Sequence, residues 1–296
     1  MAIKEKMSGD LKWATRQRLQ YIELKAYYCG NVSRSDVARA FGISDAAATK
    51  DLKLYGDLAP NNLIYSQRVF GFVPSEQFSE EFADLAPETA LPLIADNLAT
   101  AGGPYGDDSI YGIAISSLPL PTRFPDKAVL AQIIRAIYSK KKLTVVYRSL
   151  TGRDSGSERI IEPHALSNTG LRWHVRAYNE DTYDFRDFVL SRFEKATLTD
   201  ESAESSADYD DDWVEHAVVK LAPHPGLSDK QRLGLAIDYD MKDDGIELQV
   251  RRSLVGYLLQ RLDVDTTVDH SLNANKHQLI LVNRDEIEQF ASWIFR

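Results

Sequence analysis

The sequence predicts a multidomain chain of the α+β class, on three observations. Its 296 residues exceed what one compact domain usually holds. Its hydrophobic pattern changes along the chain, from helical spacing at the front, through strand alternation in the middle, to strands alternating with helices at the end. Its charge is also divided: the whole chain is −9, yet residues 1–75 hold 11 Lys+Arg against 7 Asp+Glu, net +4, leaving 24 against 37, net −13, for the remainder. The acidic body repels phosphates, so contact with nucleic acid is expected at the basic front or at local basic pockets.

Composition narrows the setting. Hydrophobic residues make up 44% and charged residues 27%, an ordinary globular balance. No apolar run approaches the roughly 20 residues needed to span a bilayer, and Met1–Asp10 does not read as a secretory signal. The single cysteine, Cys29, rules out an intrachain disulfide and disfavours a Cys-based zinc site. A cytoplasmic protein without cofactor or membrane partner is expected.

The first helix is predicted over 11–28, free of Gly and Pro, with Leu19, Ile22 and Ala26 at helical spacing; Gly30 ends it. Ser33-Arg34-Ser35-Asp36 has capping-box form and opens a second helix to about Phe41. Gly42 breaks it and Ser44 caps a third, whose inward stripe is Ala48, Leu52 and Tyr55. Two β-rich runs, 63–65 and 69–73 around Ser66-Gln67-Arg68, read as a hairpin. Three helices and a hairpin make a winged helix-turn-helix over residues 1–75.

Residues 76–126, broken by Pro87, Pro92, Gly102-Gly103-Pro104 and Pro119-Leu120-Pro121, read as a helical and turn connector. Residues 127–200 form a small β-rich domain, opening on a helix at 127–138 with Val129, Ile133, Ala136 and Ile137 apolar. The acid-rich stretch from Thr199 to Asp212 reads as a solvated linker, placed at 201–213. Residues 214–296 alternate strand and helix as a small α+β module.

The outward face of the third helix carries Ala46, Thr49, Lys50 and Lys53, with Ser44 and Asp45 at its start. Slim residues at a helix N-terminus let it enter the major groove, lysines meet phosphates, and Arg68 at the hairpin tip suits a wing contact. These seven are the candidate DNA-binding residues. A small three-helix unit without any DNA partner would also carry a few lysines on its solvated face.

In the middle domain, Leu171 to Tyr178 alternates, with Trp173, Val175 and Ala177 on one side and Arg172, His174 and Arg176 on the other. Three cationic groups on one strand face call for acids, water or an anionic ligand, and Glu158, Glu162 or Asp184 could neutralise them. Ser191, His174 and His164 could in principle supply a nucleophile and base, but no enzyme motif such as Gly-x-Ser-x-Gly or a P-loop is present, so no enzyme is expected. His216, His224, His270 and His277 are scattered without metal-ligand spacing.

Two sets of motifs carry a family resemblance. Val37-Ala38-Arg39-Ala40-Phe41-Gly42-Ile43-Ser44 followed by Thr49-Lys50-Asp51-Leu52 resembles the helix-turn-helix of bacterial regulators, in which an Ala and a Gly four apart set the close helix crossing. Val145-Val146-Tyr147-Arg148, Glu162-Pro163-His164-Ala165-Leu166, Gly170 to Val175 and Arg186 to Phe193 are similar, in order and spacing, to the motifs of a WYL domain, with His174 where the name-giving tyrosine stands. The architecture most resembles the WYL repressors beside phage-defence systems of the BREX and CBASS kind. The resemblance implies a central SH3-like or Sm-like β-barrel and a pocket for an anionic effector, a nucleotide or nucleic acid. By positional match the pocket residues are Tyr147, Ser149, His164, Trp173, His174, Arg176, Arg186 and Arg192. It further implies a homodimer that represses from an inverted-repeat DNA operator. An RNA-binding or single-strand-binding sensor is the alternative, since Sm-like barrels and basic strand faces also suit single strands.

Overall fold

The computed structural model describes residues 11–95, 111–113, 118, 120–121, 123–150 and 156–295. The turn signals at Gly102-Gly103-Pro104 and Pro119 and the start of the chain at Met1–Asp10 lie outside the described residues. The chain divides into two compact units, 1–119 and 120–296.

In the first unit, α1 (Trp13–Cys29) buries Leu19, Ile22 and Ala26, the stripe read from the sequence. Gly30, at φ 75°, turns the chain out of it. Ser33 opens α2 (Arg34–Phe41) with a reciprocal capping box: Ser33 Oγ accepts from Asp36 N–H, and Asp36 accepts from Ser33 N–H. Gly42 closes α2 at φ 61° with no neighbour within 4 Å of where a Cβ would sit. Its glycine serves the left-handed turn and not the close crossing implied by the resemblance. Ser44 caps α3 (Asp45–Leu58), whose Ala48, Leu52 and Tyr55 are buried.

The hairpin is β1 (Leu63–Ser66) and β2 (Gly71–Pro74), joined by a four-residue turn at 67–70. The second strand starts two residues later than the pattern suggested, because Phe70 adopts φ 49° and sits in the turn, 81% exposed. Val32 exchanges two backbone hydrogen bonds with Phe72, so the loop between α1 and α2 joins the hairpin. Here glycine is needed sterically: a Cβ on Gly71 would lie 2.9 Å from the Val32 carbonyl oxygen. The segment after the hairpin packs onto this core through Ala83, Leu85 and helix α4 (Pro87–Ala95), which buries Ala90 and Ile94.

A buried carboxylate organises that packing. Glu23 is fully buried; its Oε1 accepts from the N–H groups of Glu81, Phe82 and Ala83 at 2.9–3.0 Å, and its Oε2 accepts from Tyr55 Oη at 2.8 Å. Asn62 donates to both Tyr55 Oη and the Ser79 carbonyl. Helix α1, helix α3 and the segment after the wing thus converge on one side chain.

The second unit opens with α5 (Lys127–Ser139), which lays Val129, Ile133 and Ala136 on an antiparallel sheet. Its strands are β3 (Lys141–Tyr147), β4 (Glu158–Asn168), β5 (Trp173–Asn179), β6 (Asp184–Val189) and β7 (Phe193–Ser202), in the order β6-β5-β4-β3-β7. Among the described residues no pairing joins β6 to β7, so the strands do not close into the barrel that the resemblance implied. Register shifts in β3 and β4 interrupt the ladder.

The acid-rich stretch is mostly exposed, as its composition suggested, but it is not without structure. Strand β7 runs through Ser202, a 3-10 turn and one-turn helix α6 (Asp211–Val214) follow, and Asp210 between them is buried. The last part holds β8 (His216–Pro223), α7 (Asp229–Asp238), β9 (Ile246–Arg251), α8 (Val255–Arg261), β10 (Leu279–Leu281) and α9 (Arg284–Ile287), with strand order β10-β8-β9. The helix read over 284–294 is only α9 and a 3-10 turn at Glu288–Phe290, although Ile287 and Ala291 both still reach the core. His224, which the sequence left unassigned, is a core residue: it accepts from Gly226 N–H through Nδ1 and meets buried Asp265 through Nε2 at 3.2 Å.

Candidate nucleic-acid interface and effector pocket

The outward face of α3 has the character read from the sequence. Ser44, Asp45, Ala46, Thr49, Lys50 and Lys53 are all exposed, and so is Arg68 in the hairpin turn. Two of the polar groups work locally: Ser44 Oγ accepts from Ala47 N–H, and Thr49 Oγ1 donates to the Asp45 carbonyl at 2.8 Å. Asp45 is met by Arg34 at 3.3 Å, which tempers a negative charge at the end of the helix that would approach phosphate. Neither Lys50, Lys53 nor Arg68 has an acid partner among the described residues. On the inner side, Arg18 of α1 clamps Asp51 of α3 through Nε at 2.6 Å and Nη2 at 3.2 Å. The helix is fixed from within and its basic face is free.

The pocket residues of the middle domain separate into groups. Strand β5 lies between β4 and β6 and is buried on both sides. Val175 and Ala177 join the core as alternation requires, whereas Trp173, placed with them by pattern, is 36% exposed at the strand's start. The opposite face is not the solvent-facing cationic strip that the alternation suggested. Arg176 is held by Asp210, Nε to Oδ2 at 2.7 Å and Nη2 to Oδ1 at 2.8 Å, with Asp187 and Asp212 at 3.6 and 3.8 Å. His164 Nε2 meets the same Asp210 Oδ2 at 3.0 Å. The acids that neutralise the strand come from the supposed linker and from β6; Glu162 instead accepts from Glu204 N–H and pairs with Lys142.

Burial by itself would raise Asp210, but hydrogen bonds from Arg176 and His164 outweigh it and hold the carboxyl down to about 2. Asp187 goes the other way: burial pushes it up to about 6, only partly opposed by Arg176 and a hydrogen bond with Tyr257. The same neighbourhood raises Tyr257, through burial and then Asp187.

His174 is wholly buried and stacks on Tyr257 of α8, ring centroids 4.7 Å apart. Tyr257 in turn lies 5.5 Å from Trp293. A Cβ on Gly256 would fall 2.5 Å from the Trp293 ring, so only glycine lets this indole lie against α8. Neither imidazole nitrogen of His174 finds a hydrogen-bond partner among the described residues, and burial, then Arg172 and Arg192, lower its pKa to about 4. Arg192 is the last residue of a 3-10 turn at Leu190–Arg192, which breaks the parity of β6 and leaves it half-exposed, acting on His174, rather than in the core beside Leu190.

The remaining candidates are elsewhere. Tyr147 is a core side chain whose hydroxyl accepts from Val189 N–H. Ser149 is half-buried and engaged. Arg186 is exposed, bonded to Asp184, three rungs along the β5–β6 ladder from His174. The structure thus gathers His164 with Arg176 and His174 with Arg192, and leaves Tyr147 and Arg186 apart. Sequence reasoning missed Asp210, Asp187 and Tyr257; the aromatic Trp213 beside the acidic run was the one sign that this stretch packs.

Residues 14–96 match the BrxR transcriptional regulator winged helix-turn-helix domain, 128–198 the WYL domain, and 216–287 the BrxR transcriptional regulator C-terminal dimerization domain. The chain is 30% identical over 289 residues to a DNA-binding transcriptional repressor CapW of Stenotrophomonas maltophilia, covering 96% of this chain and 94% of that one. It is 32% identical to its namesake from Pseudomonas aeruginosa, covering 95% and 93%, and 33% identical to one from Escherichia coli, covering 93% and 91%. The solved structure of proteasome accessory factor B/C of Arthrobacter aurescens aligns at 19% identity with a TM-score of 0.26, covering 95% of this chain and 48% of that one. No helix among the described residues is long and apolar enough to cross a membrane. The chain belongs to the family of WYL-domain transcriptional regulators that carry a winged helix-turn-helix ahead of the WYL domain and a dimerization domain behind it.

Proposed function

We propose that the protein is a homodimeric repressor that reads an inverted-repeat operator of a phage-defence operon through α3 and the wing, and that an anionic effector, a nucleotide or nucleic acid, at the WYL domain alters its hold on DNA. The observation that carries the reading is the exposed basic face of α3, where Lys50 and Lys53, beside slim Ala46, have no acid partner among the described residues, on a helix locked from behind by Arg18 and Asp51. Ser44, Asp45, Thr49 and Arg68 complete the contact surface, and paired half-sites lie one helical turn of about 34 Å, or a multiple, apart. The test is a titration of the full chain against the DNA upstream of its own gene at several salt concentrations. With both lysines changed to alanine, a dimer loses four phosphate contacts, so the slope of log affinity against log salt falls by about 3 to 4. An unchanged slope would remove these lysines from the interface.

The relatives' dimerization domain supports the homodimer, and α7 offers an apolar face for it: Leu233 and Ile237, one turn apart, are 65% and 76% exposed. Changing both to aspartate is expected to halve the mass measured by light scattering at micromolar concentration; a variant still dimeric there would place the interface elsewhere.

A further inference from the structure

The effector reading leaves open which groups meet the anion, since Arg176, His164 and Arg186 already have carboxylate partners. Arginine elsewhere in the second unit is usually satisfied: Arg148 by Glu194, Arg252 by Glu215, Arg284 by Glu288. Around the His174–Tyr257 stack the pattern reverses. Arg172 and Arg192 are close enough to depress His174, Arg172 also acts on Tyr257, and neither has an acid partner among the described residues. Arg261, one turn after Tyr257 on α8, lies against the turn before β5: a Cβ on Gly170 would be 3.1 Å from its Nε. Gly170 has φ 76°, so glycine both makes the turn and leaves space for that guanidinium. Arg261 is exposed, Arg172 and Arg192 half-exposed, and no carboxylate among the described residues pairs with Arg261 either.

Arg172 and Arg192 both act on His174, and Arg261 lies against Gly170, two residues before Arg172; none of the three has an acid partner among the described residues, and each is shaped for bidentate contact with phosphate oxygens. His174 beside them is the second sign of a ligand: it is fully buried and neither ring nitrogen has a hydrogen-bond partner among the described residues, a state rare in a settled core.

We propose that the phosphate of the effector binds at the seam between β5 and α8, held by Arg172, Arg192 and Arg261 above the His174–Tyr257 stack. This rests on the effector reading and gives it a location: the ligand bridges the WYL domain and the dimerization domain instead of sitting within the WYL sheet alone. A free nucleotide and the 5′ end of an oligonucleotide present the same terminal phosphate chemistry.

The test is calorimetric titration of the full-length protein with tripolyphosphate, and with tetrathymidylate bearing or lacking a 5′-phosphate. The pair Arg172→Gln and Arg261→Gln, whose side chains have no acid partner among the described residues, is expected to weaken tripolyphosphate binding by at least about tenfold, and Arg135→Gln, on the exposed side of α5, to leave it unchanged. His174→Phe, which keeps the stack on Tyr257, is expected to weaken it as well. A preference for the phosphorylated oligonucleotide over tripolyphosphate points to a nucleic-acid end, the reverse to a free polyphosphate group, and both support the site. Equal binding by the parent and the double variant overturns it; if Arg186→Gln then abolishes that binding, the effector reading stands and only the seam is wrong. Absence of binding by the parent to every probe overturns both.

Discussion

Glu23→Ala is expected to cost the winged-helix unit about 3–5 kcal/mol, enough to leave it largely unfolded and unable to bind DNA. The carboxylate is fully buried and satisfies three successive backbone N–H groups and the Tyr55 hydroxyl at once. Alanine leaves those donors buried without acceptors, a larger penalty than the lost interaction itself. Glu23→Gln keeps an oxygen for the three amides and is expected to lose only about 1–2 kcal/mol. Chemical denaturation of the two variants, with DNA affinity measured alongside, checks the order. If the alanine variant melts like the parent, Glu23 does not hold the segment after the wing in place.

Arg176→Ala is the second large effect. It strands Asp210 and Asp187 in the interior without their cation, and a loss of about 3–5 kcal/mol is expected. The double change Arg176→Ala with Asp210→Ala should recover part of that loss, and the coupling energy from the cycle measures the pair. Acidity makes the same region testable without removing it. Asp187 is raised in the folded state, so its protonation favours folding: that stabilisation is full below about 4 and is lost as pH rises through about 6. His174 is depressed, so its contribution is full above about 6.5 and is lost as pH falls toward 4. Between pH 4 and 6 the two slopes oppose each other. Asp187→Asn removes one of them, and the variant's stability should then fall on acidification more steeply than that of the parent. Parallel stability profiles for variant and parent would show that Asp187 does not take up its proton there.

Helix positions in the front unit were legible because a solvated helix writes its buried stripe into the sequence: Leu19, Ile22 and Ala26 in α1, and Ala48, Leu52 and Tyr55 in α3, are buried as their spacing requires. The same rule hid Glu23, since a buried acid within a stripe is indistinguishable by spacing from an exposed one. In the middle domain, alternation correctly put Val175 and Ala177 inward but could not reveal that the opposite face is covered too. That covering comes from Asp210 and Tyr257, far away in sequence, and nothing local in β5 encodes it. The acidic run misled for a related reason: composition averages over a segment, and one buried, paired aspartate among many solvated ones leaves the average unchanged. The wing's start depended on Phe70 at positive φ, which residue type alone does not announce.

The contact of Gly256 with Trp293 gives the protein an optical reporter. Energy absorbed by Tyr257 has an indole acceptor 5.5 Å away, and the opposite face of this short aromatic relay is His174. A change at the imidazole that shifts Tyr257 must therefore alter the emission of the half-exposed Trp293, just past the residues matched to the dimerization domain. With Trp13, Trp173 and Trp213 replaced by phenylalanine, the residual emission would follow events at the seam in the unlabelled protein, in real time.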